Sequence, residues 1–148
     1  MSINPSKMRI LILFIAYLVF PSCQFAQPPA KVVQSFQKKY PAAKEVSWNI
    51  DRNERHEADF SLNGIHYRAD FNSDGAWVET ERSVDWKDLP EATKAAFLGE
   101  DTKKDVIEIE LVEHHQQGKF YDIEYKTGNG KQDIRITAAG KVLGTDKH

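Results

Sequence analysis

Two short stretches of the chain carry apolar residues at helical spacing, and nearly everything between and after them alternates apolar with polar. In "PPAKVVQSFQKKYP", Val32, Val33, Phe36 and Tyr40 fall on one face, with Pro29 suited to the first turn and Pro41 to the stop. In "LPEATKAAFLGED", Pro90 stands at the start, Asp88 and Glu91 lie near the positive end of the dipole, and Gly99 ends the run. Both predicted helices are short and need a sheet to pack on.

The alternating segments predict strands. Val46, Trp48 and Ile50 share a face, as do Ala58, Phe60 and Leu62, and then Ile65, Tyr67, Ala69 and Phe71. Asn63-Gly64 between two such runs is a two-residue hairpin signal, because both positions accept positive φ. It predicts Leu62 opposite Ile65, Phe60 opposite Tyr67, Ala58 opposite Ala69, and Asp59 opposite Arg68 as a cross-strand charge pair. A second turn at Asn129-Gly130 predicts Tyr125 opposite Ile134, Ile123 opposite Ile136, Glu124 opposite Arg135 and Lys126 opposite Asp133.

The pattern occurs twice. Pro29, Phe36, Val46 and Trp48 match Pro90, Phe97, Ile107 and Ile109; an insertion around "EHHQQG" follows; then Ala58, Phe60, Phe71 and Gly75 match Ile123, Tyr125, Ile136 and Gly140. The predicted fold class is α+β, a tandem repeat of one helix plus about four antiparallel strands, with units over residues 28–84 and 87–147 joined by "SVDWKDLP".

The N-terminus has a different character. Lys7 and Arg9 precede an apolar run, Ile10 to Phe20, which is too short to span a bilayer and suits a signal-peptide core. Residues 1–26 are therefore expected to be a signal peptide. Cleavage after Ala26 gives a soluble periplasmic or secreted chain with no membrane span; processing at "FPSC" makes Cys23 a lipid anchor instead. Removing residues 1–26 leaves 18 basic against 22 acidic residues, a net charge of −4, which argues against binding a nucleic-acid backbone. Cys23 is the only cysteine, so cleavage at Ala26 removes disulfides, Cys–metal sites and thiol nucleophiles together.

The arrangement "P…V…F…YP.AK.V.W", then "ADF..NG…ADF..DG.W.ETE", then "LP.A…AF" resembles the β-lactamase-inhibitor-like, PepSY-like family of exported bacterial proteins, found mostly in Gram-negative envelopes. The resemblance runs from about Pro28 to Leu143 and rests on Pro41, Trp48, Phe60, Asn63-Gly64, Phe71, Asp74-Gly75 and Pro90. It implies tandem helix-plus-sheet units with both helices on one sheet face and the other face open. It implies no established reaction, and the likeness to inhibitors that grip an enzyme with the open face is one of fold. "ITAAG" stands where a cleaner repeat would duplicate "FNSDG", so Asp74 has no counterpart.

Chemical candidates are few. "FNSDGAW" offers Asn72 and Asp74 as calcium ligands, but the downstream acids lie in a strand, and the second copy keeps only the glycine. A turn with Asn72 first and Gly75 left-handed is the plainer reading. With Val78 set against Val142 and Trp77 against Lys141, Trp77 is placed on the open face, near Arg68, His66, Asp70, Glu79 and Glu81; a bulge at Gly75 would turn it into the core instead. Trp86 is expected between the units. His56 points inward and His66 outward, and His114-His115 sits in the insertion. Glu108 and Glu110 read as the polar side of a buried strand rather than a glycosidase pair. No cofactor motif, metal set or catalytic arrangement emerges. The expectation is a non-catalytic exported module that binds a protein or peptide through Trp77, Arg68, His66, Asp70 and Glu79, with inhibition of an envelope hydrolase as its sharper form. The alternative is a small-ligand or metal-binding periplasmic sensor using His114 and His115, and an enzyme stands third.

Overall fold

Helix α1 (Ala30–Lys39) follows Pro29, whose fixed φ suits the entry, and ends at Tyr40, whose N–H donates to Phe36 O. Four strands come next: β1 (Lys44–Ile50), β2 (His56–Leu62), β3 (Ile65–Phe71) and β4 (Trp77–Ser83). After a single 3-10 turn at Trp86–Asp88, helix α2 (Glu91–Leu98) is capped by Gly99 at φ 50. Strands β5 (Asp105–His114), β6 (Gly118–Thr127), β7 (Gly130–Ile136) and β8 (Val142–Lys147) complete the order. The computed structural model describes residues 27–99, 104–128 and 130–147. The signal-peptide expectation, with Lys7, Arg9 and Cys23, and the Asn129 of the second turn lie outside the described residues.

The eight strands form one antiparallel sheet in sequence order. The two halves join because β4 pairs with β5, Glu79 to Ser83 running against His114 to Glu110. That seam uses the C-terminal half of β5. β5 and β6 are 10 residues each, against 7 for β1 and β2. The insertion at "EHHQQG" lengthens this hairpin, and His115 N–H adds a further hydrogen bond to Val78 O at 2.9 Å.

Alternation determines which side chains meet which helix. Val32 and Phe36 of α1 are buried on Ala58, Phe60, Ala69 and Phe71. Phe97 of α2 is buried with Leu89 on Ile109, Ile123, Tyr125, Ile134 and Ile136. A fully buried Phe contributes about 1.5–3 kcal/mol through its apolar area. Both cores lie on the same side of the sheet: Ala69 pairs with Thr80, Thr80 pairs with Glu113, and Glu113 shares the parity of Ile109. The other side carries no helix among the described residues.

The first hairpin has the expected register at every position, including Asp59 opposite Arg68. The second differs by two residues. Tyr125 pairs with Gln132, Ile123 with Ile134, Tyr121 with Ile136, and Glu124 with Asp133. Thr127 pairs with Gly130, so the turn is centred one position earlier than Asn129-Gly130. "TGNG" offers glycine on both sides of Asn129, and a shift of two keeps every apolar residue on the core face, so alternation alone does not choose between the registers. The expected pairing of Glu124 with Arg135 is replaced by salt bridges from Lys131 to Glu124 at 2.7 Å and from Arg135 to Asp146 at 3.3 Å.

"FNSDGA" is a turn. Gly75 N–H donates to Asn72 O at 2.8 Å, Asn72 N–H to Ala76 O at 2.9 Å, and the Asp74 carboxylate accepts from Ala76 N–H at 2.9 Å. The turn after β7 repeats the backbone pattern: Gly140 N–H donates to Thr137 O and Thr137 N–H to Lys141 O. Trp86 does not separate the halves; it packs on the α2 core, edge-on to Phe97 at 5.5 Å.

Candidate functional site: the open sheet face

The side of the sheet opposite the helices is built by the polar half of each alternation, broken by Val112 of β5 and Phe120 of β6, which pair with each other and are buried there. β2 contributes Glu57 and Asp59, β3 His66, Arg68 and Asp70, and β4 Glu79 and Glu81. β5 contributes Glu108 and Glu110, β6 Asp122 and Glu124, and β7 Asp133 and Arg135. Acids outnumber bases among these, and the bases are committed. Arg68 donates to Glu81 at 2.8 Å and also to Glu110. Arg55 donates to Glu79 at 2.8 Å and lies 3.7 Å from Asp70. His66 lies 3.6 Å from Asp59.

Too few cations serve too many half-buried carboxyls, and the protonation equilibria follow. Burial, then the fields of Asp51 and Glu79, push Asp70 up to about 7. Burial and Glu81 push Glu110 up to about 7, although Arg68 pulls the other way; one guanidinium shared between two carboxylates does not offset the crowding. Asp122 is pushed up to about 6 by burial and by Asp133. Glu57 and Glu79 are also raised, burial being the larger cause in each. Glu108, Glu110, Asp122, Glu124 and Asp133 line a shallow depression of about 130 Å³. Asp122 Oδ1 and Arg135 Nε are buried without a hydrogen-bond partner among the described residues.

Four of the five expected binding residues, Arg68, His66, Asp70 and Glu79, occur together on this face. Trp77 does not. A bulge between β3 and β4 pairs Phe71 with Trp77 and Asp70 with Glu79, so Trp77 turns to the helix side. There it packs against the α1 core, its Nε1–H donates to Thr80 Oγ1 at 2.9 Å, and the Lys39 ammonium sits 3.6 Å from its ring centroid. Tyr40 hydrogen-bonds the same Thr80 hydroxyl. Placing Trp77 against Lys141 was wrong by one position. Ile136 pairs with Val142 as Phe71 pairs with Trp77, and both pairs follow a bulge.

The histidine pair is structural in its visible contacts. His114 Nδ1 accepts from Gln116 and Gln117 N–H at 3.1 and 3.2 Å, closing the hairpin, and His115 Nδ1–H donates to Val78 O at 3.0 Å. Among the described residues no group of three His, Cys, Asp or Glu is placed to hold a metal ion. His56 points inward, 3.3 Å from Ser73 Oγ. Sequence reasoning read Glu110 as the polar side of its strand but did not connect it to Arg68, and it missed Arg55 and Asp122 as members of this face. The signal was present: Glu108 and Glu110 alternate with apolar residues in "VIEIEL", as Asp122 and Glu124 do in "YDIEY".

Solved structures share this architecture. A DUF2874 family protein from Bacteroides ovatus ATCC 8483 is 29% identical with a TM-score of 0.71, covering 82% of this chain and 88% of that one. A protein from Bacteroides eggerthii DSM 20697, described as a "putative periplasmic" protein, is 25% identical with a TM-score of 0.70, covering 82% of this chain and 89% of that one. A BLIP-like protein from Bacteroides fragilis NCTC 9343 shares the fold at 20% identity and a TM-score of 0.71, with 84% and 89% covered. No curated protein sequence matches the chain. No helix among the described residues is long and apolar enough to cross a membrane. The sequence profile described as "Putative beta-lactamase-inhibitor-like, PepSY-like" matches residues 54–144, more than half of the chain, and the protein belongs to that family.

Proposed function

We propose that the protein is an exported, non-catalytic binding module that holds a protein partner against its open sheet face, with inhibition of an envelope hydrolase as the sharper form of that role. The observation that carries this reading is the uncovered acidic face itself. Both helices occupy one side of the sheet, while the other presents ordered, half-buried carboxyls around Arg68 and Arg55. Such a surface complements a partner rich in Lys and Arg, and desolvation on contact would strengthen each new ion pair. Export is supported by the expected signal peptide over residues 1–26 and by the relative described as periplasmic. Cleavage at Ala26 or lipidation at Cys23 is read directly from the mass of the mature N-terminus. We also read residues 28–84 and 87–147 as two copies of one unit, a reading supported by the matching turns at Gly75 and Gly140.

The test is a pull-down from the source envelope with the chain beginning at Gln27. Wild type is compared with an open-face variant, Glu81→Lys with Glu110→Lys, and with a helix-side control, Lys31→Glu. The reading expects a protein retained by wild type and control, lost by the open-face variant, and released by salt. Equal retention by all three would remove the open face from the function.

A further inference from the structure

The two cores lie on one side of the sheet as separate clusters, and the seam between them is open. Tyr67 packs on the α1 core and Tyr121 on the α2 core. Arg68 pairs with Glu81, which sets Tyr67 beside Arg82; Arg82 pairs with Leu111, and Leu111 with Tyr121. One row on the helix side therefore runs Tyr67, Arg82, Leu111, Tyr121, and its middle pair belongs to neither core. Two residues along the strands, Thr80 pairs with Glu113 and Glu113 with Lys119.

A pocket of about 290 Å³ opens over this seam, lined by Tyr67, Thr80, Arg82, Leu111, Glu113 and Lys119. It is at the small end of the range of ligand pockets. Its walls are held from the α1 core: Phe60 stacks on Tyr67 at 5.6 Å, and Thr80 Oγ1 accepts from Trp77 Nε1–H at 2.9 Å. Glu81 also borders it, but its carboxylate is on the opposite face, where it accepts from Arg68. The charges in the pocket do not cancel. Lys119 lies 3.6 Å from Glu113, while Arg82 is half-buried and makes no ion pair or hydrogen bond among the described residues.

A guanidinium is a planar fork of donors that matches a carboxylate in two parallel hydrogen bonds. Arg82, partly withdrawn from water and unpaired, is set for an anion from outside the chain. Glu113 offsets Lys119, so a single positive charge is left over. A monoanion fits that balance, and a dianion would be opposed by Glu113. Leu111 and the Tyr67 ring supply apolar surface beside the charge.

We propose that this pocket binds a small monocarboxylate with an apolar body, the carboxylate on Arg82 and the body between the Tyr67 ring and Leu111. The site is on the helix side of the sheet, and it does not rest on the reading proposed for the open face.

The probe is phenylbutyrate, titrated by NMR into the isotope-labelled chain beginning at Gln27, beside its uncharged amide and beside Arg82→Gln. Arg82 engages no other side chain among the described residues, so the variant should fold, and its amide spectrum and melting temperature check that it does. The acid is expected to give saturable shifts, with contacts from its phenyl protons to the Leu111 methyl groups and the Tyr67 ring. The amide should bind about tenfold more weakly, as expected for loss of one charge-assisted pair. In Arg82→Gln the acid should weaken by the same factor, and the preference for acid over amide should vanish. A merely structural role for Arg82 would weaken both probes together and leave the preference, which overturns the proposal. So does the absence of saturable shifts, or equal binding of acid and amide by wild type. Contacts to the methyl groups of Val112, the neighbour of Leu111 on the other face, would place the acid on the open side and overturn it as well.

Discussion

Gly75 sits directly beneath the backbone of α1: a Cβ placed on it would lie 2.9 Å from the Lys31 carbonyl oxygen and 3.0 Å from Ser35 Oγ. The residue also has φ 90, a conformation that L side chains rarely adopt. Turn and helix are therefore packed backbone to backbone, and the glycine of "FNSDG" serves the core rather than a ligand. Gly140 stands in the same relation to Ala92, with the corresponding distance 2.7 Å.

Gly75→Ala combines strain at positive φ with a clash that the helix backbone cannot relieve, and is expected to destabilise by about 2–4 kcal/mol. Gly64→Ala has φ 78 but meets nothing within 4 Å, so only the conformational cost of about 1 kcal/mol remains. Urea denaturation of the two variants checks the ordering; equal losses would mean that the helix contact is immaterial.

The open face should make stability depend on pH. Asp70 and Glu110 have folded-state values raised to about 7, so the folded state binds protons more tightly than the unfolded chain. Their contribution to stability is complete below the unfolded values and is lost as pH rises through about 7. The melting temperature is expected to fall by several degrees between pH 6 and pH 8. His114, whose value burial lowers, acts in the opposite sense at the acidic end and does not oppose the trend above neutrality. Asp70→Asn should raise the melting temperature at pH 8 and shrink the difference.

Arg68→Ala leaves Glu81 and Glu110 facing each other without their shared cation. The guanidinium is partly solvated, so the loss is expected at about 1–3 kcal/mol at pH 8 and less at pH 6, where Glu110 can be neutral. Adding Glu110→Gln should recover part of it. A double-mutant cycle at both pH values measures the coupling.

Trp77→Ala is expected to destabilise by about 2–4 kcal/mol, because the indole packs on the α1 core and hydrogen-bonds Thr80. Lys39→Ala should cost about 0.5–1 kcal/mol, and the two losses should not add, since the ammonium lies over the Trp77 ring. Additive losses would mean the contact contributes nothing.

The legible parts of this fold were those governed by short-range rules. Asn63-Gly64 determined a register that holds at every pair from Leu62–Ile65 to Ala58–Ala69. The site was legible as a parity: once Phe60 and Ala69 point to the core, Asp59, Arg68 and Asp70 point away from it. Trp77 was not legible, because a single bulged residue reverses parity and its location depends on how β4 leaves the turn at Gly75. The second hairpin failed for a related reason: two glycines flank Asn129, and both registers bury the same side chains.

By itself, the sequence determined the elements, their order, the division into a helix-covered and a polar face, and the excess of acid, because period, turn chemistry and composition act over a few residues. Tertiary structure decided that β4 joins β5 through the lengthened hairpin, that Trp77 packs with Lys39, and that one arginine is shared between Glu81 and Glu110. It also decided which carboxyls are crowded enough to titrate near neutrality. Those outcomes depend on distances between residues far apart in the chain, and only the assembled sheet brings them together.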